Sequence, residues 1–119
     1  MLLGPQVLQY LIDSFGRQVA KELLNLPEPP TAIFVATDFQ ALGVLKAARQ
    51  LEIKVPEQLA VIGFDDLDMA EYADLTTISQ HLDESGRLAV EILLSQIKSS
   101  SPLPRYVKIP LNIIERETA

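Results

Sequence analysis

Hydrophobic residues in this chain fall into short uninterrupted runs that alternate with longer stretches of helical periodicity. The short runs are Val7–Ile12, Thr31–Ala36, Leu59–Ile62 and Thr76–Ser79. Runs of apolar and β-branched residues of this length are typical of strands, and those with no polar interruption are typical of strands covered on both faces. We therefore predict four strands, of which Thr31–Ala36 and Leu59–Ile62 are the most deeply buried.

The stretches between these runs place apolar residues at helical spacing. They predict helices over Phe15–Leu24, Phe39–Leu51, Leu67–Tyr72 and Asp83–Ile97. Aspartate is a favoured residue at helix N-termini, so Asp13 or Ser14 is predicted to cap the first helix, Asp38 the second and Asp66 the third. After the last helix, Tyr106–Ile109 and Asn112–Arg116 are predicted β-segments separated by Pro110.

The resulting order of elements is β-α-β-α-β-(α)-β-α-β-β. Alternating strands and helices indicate an α/β fold with a largely parallel sheet and flanking helices. Only three of the predicted helices are long, which is too few to cover both faces of such a sheet. We therefore expect an incomplete lobe, either because partner chains cover the bare surface or because further residues precede Met1, and we favour the second explanation.

The stretch Val55–Asp66, VPEQLAVIGFDD, combines a turn, a buried strand and an acidic end. Gly63 lets the backbone turn or approach another group closely, and Asp65 and Asp66 follow at the carboxyl end of the strand. Ligands of open α/β sheets bind at the carboxyl ends of the strands. This carboxylate pair is therefore a candidate binding site.

The helix predicted over Phe39–Leu51 carries too many apolar residues for a single buried stripe. Ala41, Val44 and neighbouring residues suffice to face the sheet, which leaves Phe39 and Leu42 on another side. The pattern is equally compatible with a crowded core and with a second face that contacts another chain.

Composition narrows the class of protein. The chain has 119 residues and a net charge of −6, so direct contact with nucleic acid is not expected of it. It contains no cysteine and one histidine, which excludes disulfides, thiolate metal sites and histidine-rich metal sites. No apolar run has the length of a membrane span, and the N-terminus lacks the pattern of a secretory signal, so a cytoplasmic protein without membrane contact is expected.

A set of short motifs resembles the C-terminal part of LacI/GalR-family transcriptional regulators. In chain order the set comprises Pro30–Phe34, Thr37-Asp38, Ala41–Leu45, Val55–Glu57, Val61–Asp66, Leu75–Ile78, Gln80 and Ile113–Thr118. Each motif alone is common, but the ordered set is specific and covers the chain from about Val7 onward. Asp74 departs from the family pattern, which usually has proline before Leu-Thr-Thr.

The resemblance implies a two-lobed effector domain similar to periplasmic sugar-binding proteins. A small molecule of the sugar or purine class would bind between the lobes and change the affinity for operator DNA, which the protein would contact only through an N-terminal domain absent from this chain. The resemblance further implies that residues 7–80 belong to the C-terminal lobe, 83–98 form a helix of the N-terminal lobe, and 106–116 are returning β-segments.

The resemblance also implies site residues. Asp65 is expected to accept hydrogen bonds from effector hydroxyls or ring nitrogens. The residues themselves add further candidates for the effector site: Thr37 offers a hydroxyl, Phe34 an aromatic face, and Leu11 and Asp13 lie at the end of the first predicted strand. The family usually forms homodimers or tetramers. The corresponding interface residues here are Phe39, Leu42, Leu45, Lys46 and Met69.

Two alternative functions remain open from the sequence. A solute-binding protein of the sugar-binding type would share the fold but not the DNA partner. An acidic Mg²⁺ pocket of Asp38, Asp65 and Asp66 would suit a phosphoryl-transfer enzyme. Such an enzyme needs a lysine or a glycine-rich loop to hold phosphate, and no glycine here lies in such a loop, so we expect neither catalysis nor a bound metal or cofactor.

Overall fold

The computed structural model of the chain describes residues 10–119, except for the side chain of Leu11. The first helix, α1, has π-helical hydrogen bonding over Leu11–Gln18 and α-helical hydrogen bonding over Val19–Leu24. The remaining elements, in chain order, are β1 (Ala32–Phe34), α2 (Asp38–Gln50), β2 (Ala60–Ile62), α3 (Asp68–Tyr72), β3 (Thr77–Ser79), α4 (Leu82–Lys98) and β4 (Asn112–Ile114).

The first predicted strand is wrong where the structure describes it. Tyr10 to Ile12 are helical, and residues 7–9 of the predicted strand lie outside the described residues. Asp13 consequently lies in the first turn of α1 and does not precede the helix as a cap. A predicted β-segment is wrong as well, because Tyr106–Ile109 forms no strand and only Asn112–Ile114 pairs with the sheet.

The sheet is parallel over most of its pairings, which confirms the predicted α/β fold class. β1 pairs with β2 in parallel, with Ile33 opposite Val61. Single parallel bridges join Ile62 to Thr76 and Asp65 to Ser79, so β3 continues the sheet beyond β2. β4 then pairs with β3 in the antiparallel direction.

Residues near the C-terminus are bonded into the sheet between β2 and the start of β3. The Thr118 hydroxyl donates to the carbonyl of Val61 at 2.7 Å and accepts from the backbone N–H of Thr76 at 2.9 Å. The Thr118 carbonyl accepts from the N–H of Val61 at 2.7 Å. One largely buried side chain thus links two segments that are distant in the sequence.

The core lies between the sheet and α2. Val61 and Leu59 are fully buried, and they pack with Ala41, Val44 and Leu75 in one cluster. β1 is more open than predicted, since Phe34 keeps 62% of its surface exposed. A strand at the edge of the described sheet has neighbours on one side only, which explains this exposure.

Helix α4 extends away from this core. None of its 17 residues, all of which the structure describes, is buried. Its apolar residues Val90, Leu93 and Ile97 are more than half exposed. Among residues 10–119, no helix is long and apolar enough to cross a membrane.

Candidate functional site

The carboxyl ends of β1, β2 and β3 meet at one edge of the sheet. There the N–H of Asp38 donates to the carbonyl of Phe64 at 2.9 Å, and the N–H of Asp65 donates to the carbonyl of Ile78 at 3.0 Å. These bonds bring together Thr37, three residues after β1, Asp65, three residues after β2, and Ser79, the last residue of β3. The predicted neighbourhood of Thr37 and Asp65 is therefore present.

Asp65 is held in a defined position at this edge. Its backbone has a φ of 117°, a conformation that non-glycine residues rarely adopt. The side-chain amide of Gln80 donates to Asp65 Oδ1 at 2.6 Å. Desolvation by partial burial raises the pKa of Asp65, the hydrogen bond from Gln80 opposes this, and the negative charge of Asp38 adds to the rise.

An open cleft of about 590 Å³ lies beside Asp65. Its acidic lining residues are Asp65, Asp66, Asp68, Asp83 and Glu84. Its apolar lining residues are Phe39, Leu67, Met69 and Leu82. Ser79 and His81 complete the wall, so the cleft offers carboxylate acceptors next to apolar surface. Such a mixture suits a hydroxylated or amine-bearing small molecule.

Asp66 does not cap α3, contrary to the prediction. Its carboxylate Oδ1 accepts a hydrogen bond from Arg116 Nη2 at 3.0 Å, and the other terminal nitrogen of Arg116 donates to the carbonyl of Leu75. Asp66 has a φ of 56°, so two successive residues have positive φ at the end of β2. This pairing neutralises one acidic group of the cleft and joins it to the C-terminal segment.

Asp38 is not the cap of α2 either. The Thr37 hydroxyl oxygen accepts from the N–H of Gln40 at 3.2 Å, so Thr37 is the capping residue and Asp38 is the first residue of the helix. Asp38 is completely buried. Its carboxylate accepts from the Thr77 hydroxyl at 2.6 Å and from the N–H of Leu67 at 2.8 Å.

The carboxylates considered as a Mg²⁺ pocket are bound to different partners. Asp38 faces Thr77 inside the protein, Asp65 is bonded to Gln80, and Asp66 is paired with Arg116. Within residues 10–119, no group of three or more acidic, histidine or cysteine side chains has the arrangement of a metal site. The three aspartates therefore do not converge on a common point.

The remaining predicted effector residues lie elsewhere. Phe34 packs edge-to-face against Phe64, with ring centroids 6.2 Å apart, and lines a separate depression together with residues of α1. Asp13 pairs with Arg17 at 3.1 Å and with Lys46 at 3.4 Å. Lys46 follows Asp38 by eight residues, or about 12 Å along α2, so Asp13 lies beside the middle of that helix. The backbone of Leu11 lies in the same helix as Asp13.

The predicted interface residues divide between two surfaces. Phe39 and Met69 line the cleft beside Asp65. Leu42, Leu45 and Lys46 line a second groove on the outer side of α2, where Ile12, Arg49 and Ala73 complete the lining. Leu42 and Leu45 are half-buried, whereas Lys46 is exposed.

Sequence reasoning assigned no role to two residues that position the carboxylates. Gln80 lies beyond the carboxyl end of β3, and Asp65 lies beyond the carboxyl end of β2. Because the carboxyl ends of parallel strands meet at one edge of the sheet, these positions could have predicted that Gln80 lies close to Asp65. Arg116 reaches Asp66 across 50 positions of sequence, and no local pattern predicts such a pairing.

Comparison with known proteins places this geometry in context. Residues 5–119 match the family described as a periplasmic binding protein-like domain. The chain is similar to the HTH-type transcriptional repressor CytR of Escherichia coli, with 46% identity over 70% of this chain and 25% of CytR. It is also similar to the ribose operon repressor of Escherichia coli, with 36% identity over 87% of this chain and 32% of that repressor.

The chain also has a fold similar to that of a solved structure. A LacI family transcriptional regulator from Lactobacillus casei with bound sucrose matches with a TM-score of 0.76 and 30% identity, over 87% of this chain and 39% of that one. The chain thus spans about a quarter to a third of the length of the curated relatives it matches.

Proposed function

This chain belongs to the periplasmic binding protein-like domain family. We propose that it is the C-terminal part of the effector-binding domain of a LacI-family transcriptional regulator, and that it binds a small-molecule effector that changes the operator affinity of the complete regulator. The observation that carries this proposal is the position of Asp65. Its carboxylate lies at the carboxyl end of β2, is oriented by Gln80 and borders the cleft.

The chemistry of the cleft favours a ligand with neighbouring hydroxyl groups, such as a sugar or the ribose of a nucleoside. An ionised carboxylate accepts several hydrogen bonds and can accept from two adjacent hydroxyls at once. The relatives include a ribose operon repressor and a regulator with bound sucrose, which agrees with that class. Thr37 lies at the same edge of the sheet but outside the cleft lining, and it would supply its hydroxyl proton to a ligand that extends towards α2, because only its oxygen is used in capping that helix.

Three other residues have weaker support as effector contacts. Phe34 offers an exposed aromatic face, but it lines a different depression from Asp65. Asp13 is engaged with Arg17 and Lys46, and Leu11 belongs to the same helix. They would contact effector only if the ligand extended along β1 towards α1.

Within this proposal the chain contributes to two lobes. Residues 7–80 form the C-terminal lobe, 83–98 form a helix of the N-terminal lobe, and 106–116 return towards the first lobe. The exposure of the apolar residues of α4 supports this division, since none of them is buried by the described residues 10–119.

A homodimer would use the outer face of α2. Leu42 and Leu45 provide half-buried apolar surface there, Lys46 is a charged neighbour, and Phe39 and Met69 extend the surface towards the cleft. Leu42→Lys would place a charge in this interface and should shift the complete protein from dimer to monomer in analytical ultracentrifugation. Lys46→Arg, which keeps the charge on the same helix, is the control. An unchanged mass for Leu42→Lys would contradict this interface.

The effector proposal is tested with the complete natural protein. Isothermal titration calorimetry with D-ribose, D-glucose, sucrose and adenosine should identify binding, and Asp65→Asn should weaken it by at least about tenfold. Asp74→Asn is the matched control, because Asp74 is exposed, also has a positive φ and loses the same charge. Equal loss in both variants would contradict a contact by Asp65.

The regulatory part of the proposal needs a DNA measurement. Operator fragments are selected from a random library by the complete protein, and their affinity is measured with and without the bound effector. A change in operator affinity that disappears in Asp65→Asn supports a regulator of the cytoplasm. Effector binding without any DNA binding would instead favour a solute-binding protein. We propose no catalytic role, in agreement with the names of the relatives, which describe repressors.

A further inference from the structure

A buried aspartate connects the segments that follow β1 and β2 with the start of β3, near the cleft beside Asp65. Asp38 has no exposed surface, and its two oxygens are used separately. Oδ1 accepts from the hydroxyl of Thr77 at the start of β3, and Oδ2 accepts from the N–H of Leu67 just beyond Asp65 and Asp66. The backbone N–H of Asp38 donates to the carbonyl of Phe64. Asp38 is therefore hydrogen-bonded to the β2–α3 loop at two residues, Phe64 and Leu67.

The protein makes room for this carboxylate at Gly63. A Cβ atom built on Gly63 would overlap Asp38 Oδ1 and would approach the Cδ2 atom of Leu75 to 2.9 Å. The loop that follows contains both Asp65 and Asp66 at positive φ. Two strained residues in succession persist only where the surrounding bonds determine their conformation.

We propose that Asp38 is a positioning residue for effector binding, which holds the loop Gly63–Leu67 so that the Asp65 carboxylate is presented to the cleft. This inference rests on the proposed function of Asp65. Burial of an ionisable group is costly unless hydrogen bonds compensate it. The bonds from Thr77 and Leu67 supply this compensation. The bond from Leu67, together with the bond that the Asp38 N–H donates to Phe64, fixes the loop on both sides of Asp65.

The first test removes one bond to Asp38 without touching the cleft. Thr77→Val deletes the hydroxyl and keeps the branched shape, whereas Thr77→Ser keeps the hydroxyl. In the complete protein, calorimetry with whichever of D-ribose, D-glucose, sucrose or adenosine binds the wild type should give about tenfold weaker affinity for Thr77→Val. Thr77→Ser should restore most of it. Equal affinity in all three proteins would overturn the inference.

The second test separates positioning from general stability. Asp38→Asn keeps an acceptor oxygen but removes the negative charge that acts on Asp65. The pH below which effector affinity is lost should therefore move downward in this variant, because a less unfavourable field lets Asp65 stay ionised at lower pH. The other charged groups near Asp65 are Asp66 with its partner Arg116, and Asp68, His81, Asp83 and Glu84 of the cleft. All of them are unchanged in this variant. An amide has one acceptor oxygen where the carboxylate of Asp38 uses two, so Asp38→Asn should also weaken effector binding at neutral pH, and unchanged affinity there would overturn the inference.

A third measurement does not depend on an effector. Amide hydrogen exchange at Leu67 should accelerate in Asp38→Asn and Thr77→Val relative to wild type, while exchange at Ala47 in the middle of α2 should stay unchanged. If none of the probe ligands binds the wild type, the proposed function fails while this measurement still decides the role of Asp38 in the loop. Unchanged exchange at Leu67 in both variants overturns the inference in either case.

Discussion

Helices α2 and α4 have similar sequence patterns and opposite environments. Both contain alanine, leucine and valine at helical spacing. In α2, Ala41, Val44 and Ala48 are buried against the sheet, whereas no residue of α4, a helix the structure describes in full, is buried. An amphipathic pattern therefore predicts that a helix forms, but the location of its partner depends on the rest of the fold.

The segments that follow the two helices also differ in how closely they pack against the core. After α2 the chain reaches β2 within ten residues, and the intervening Leu59 is fully buried. After α4 the chain runs through residues 99–111 without regular secondary structure, and all of these residues are described. Local stability should therefore be high from β1 to β3 and low from α4 to residue 111.

The largest expected effect comes from truncating a buried leucine. Leu59→Ala should lower the free energy of unfolding by about 2–5 kcal/mol, because it removes fully buried methyl groups and leaves a cavity. In the 119-residue chain, where no residue of α4 is buried, Leu93→Ala should change the free energy of unfolding by less than about 0.5 kcal/mol, since Leu93 is 56% exposed. Urea denaturation of both variants measures the difference. Similar losses would mean that the two helices are equally packed in solution.

Adding one methyl group in the buried region should have the next largest effect. Gly63→Ala should lower the free energy of unfolding by about 1–3 kcal/mol, because the new Cβ would collide with Asp38 Oδ1 and approach Leu75. Thermal unfolding followed by circular dichroism gives the measurement. An unchanged melting temperature would mean that Asp38 and the loop can move apart at little cost.

A glycine-to-alanine substitution in α4 should have the opposite effect on stability. Gly86 lies inside a helix, and apart from its chain neighbours and the backbone of its own helix, no heavy atom of the described residues lies within 4 Å of an added Cβ. Gly86→Ala should therefore raise the helical stability by about 0.5–1 kcal/mol through the higher helix propensity of alanine. Helicity measured by circular dichroism should increase slightly. A loss of stability would show that Gly86 contacts another part of the protein in solution.

The smallest expected effect is the pH dependence caused by Asp65. Since burial raises the pKa of Asp65 in the folded state, the native protein holds this proton to a higher pH than the unfolded chain does. Stability should therefore decrease as the pH rises from the ordinary value of 3.8 through the raised folded value. Asp65→Asn should remove this component, and the effect should be small because solvent partly screens the group. Urea unfolding at several pH values measures it, and identical profiles for wild type and variant would contradict it.

The sequence predicted the central elements well because their signals are local. The predicted helix Phe39–Leu51 differs from α2 by one residue at each end, and the predicted strand Leu59–Ile62 contains β2. Apolar spacing and the prolines around these segments suffice to define them. The resemblance to LacI-family regulators was confirmed by the family match and by the relatives.

The errors arose where a non-local contact decides the outcome. Tyr10–Ile12 has β-forming residues but is helical, since the helix that it begins packs along α2. Close packing is visible at Gly16 and Gly43, whose Cα atoms approach so closely that a Cβ on either would overlap the other helix. Asp38 and Asp66 were assigned as caps because aspartate favours that position, yet each is bound to a residue more than 25 positions away.

The bonds of Thr118 to Val61 and Thr76 have a consequence for the order of folding on the ribosome. β1, α2 and β2 are synthesised before the hydroxyl that joins β2 to the start of β3. The sheet therefore cannot be completed until Thr118 has left the exit tunnel. During that interval the partly assembled sheet is exposed to solvent, and it is then that a nascent-chain chaperone would have most to protect.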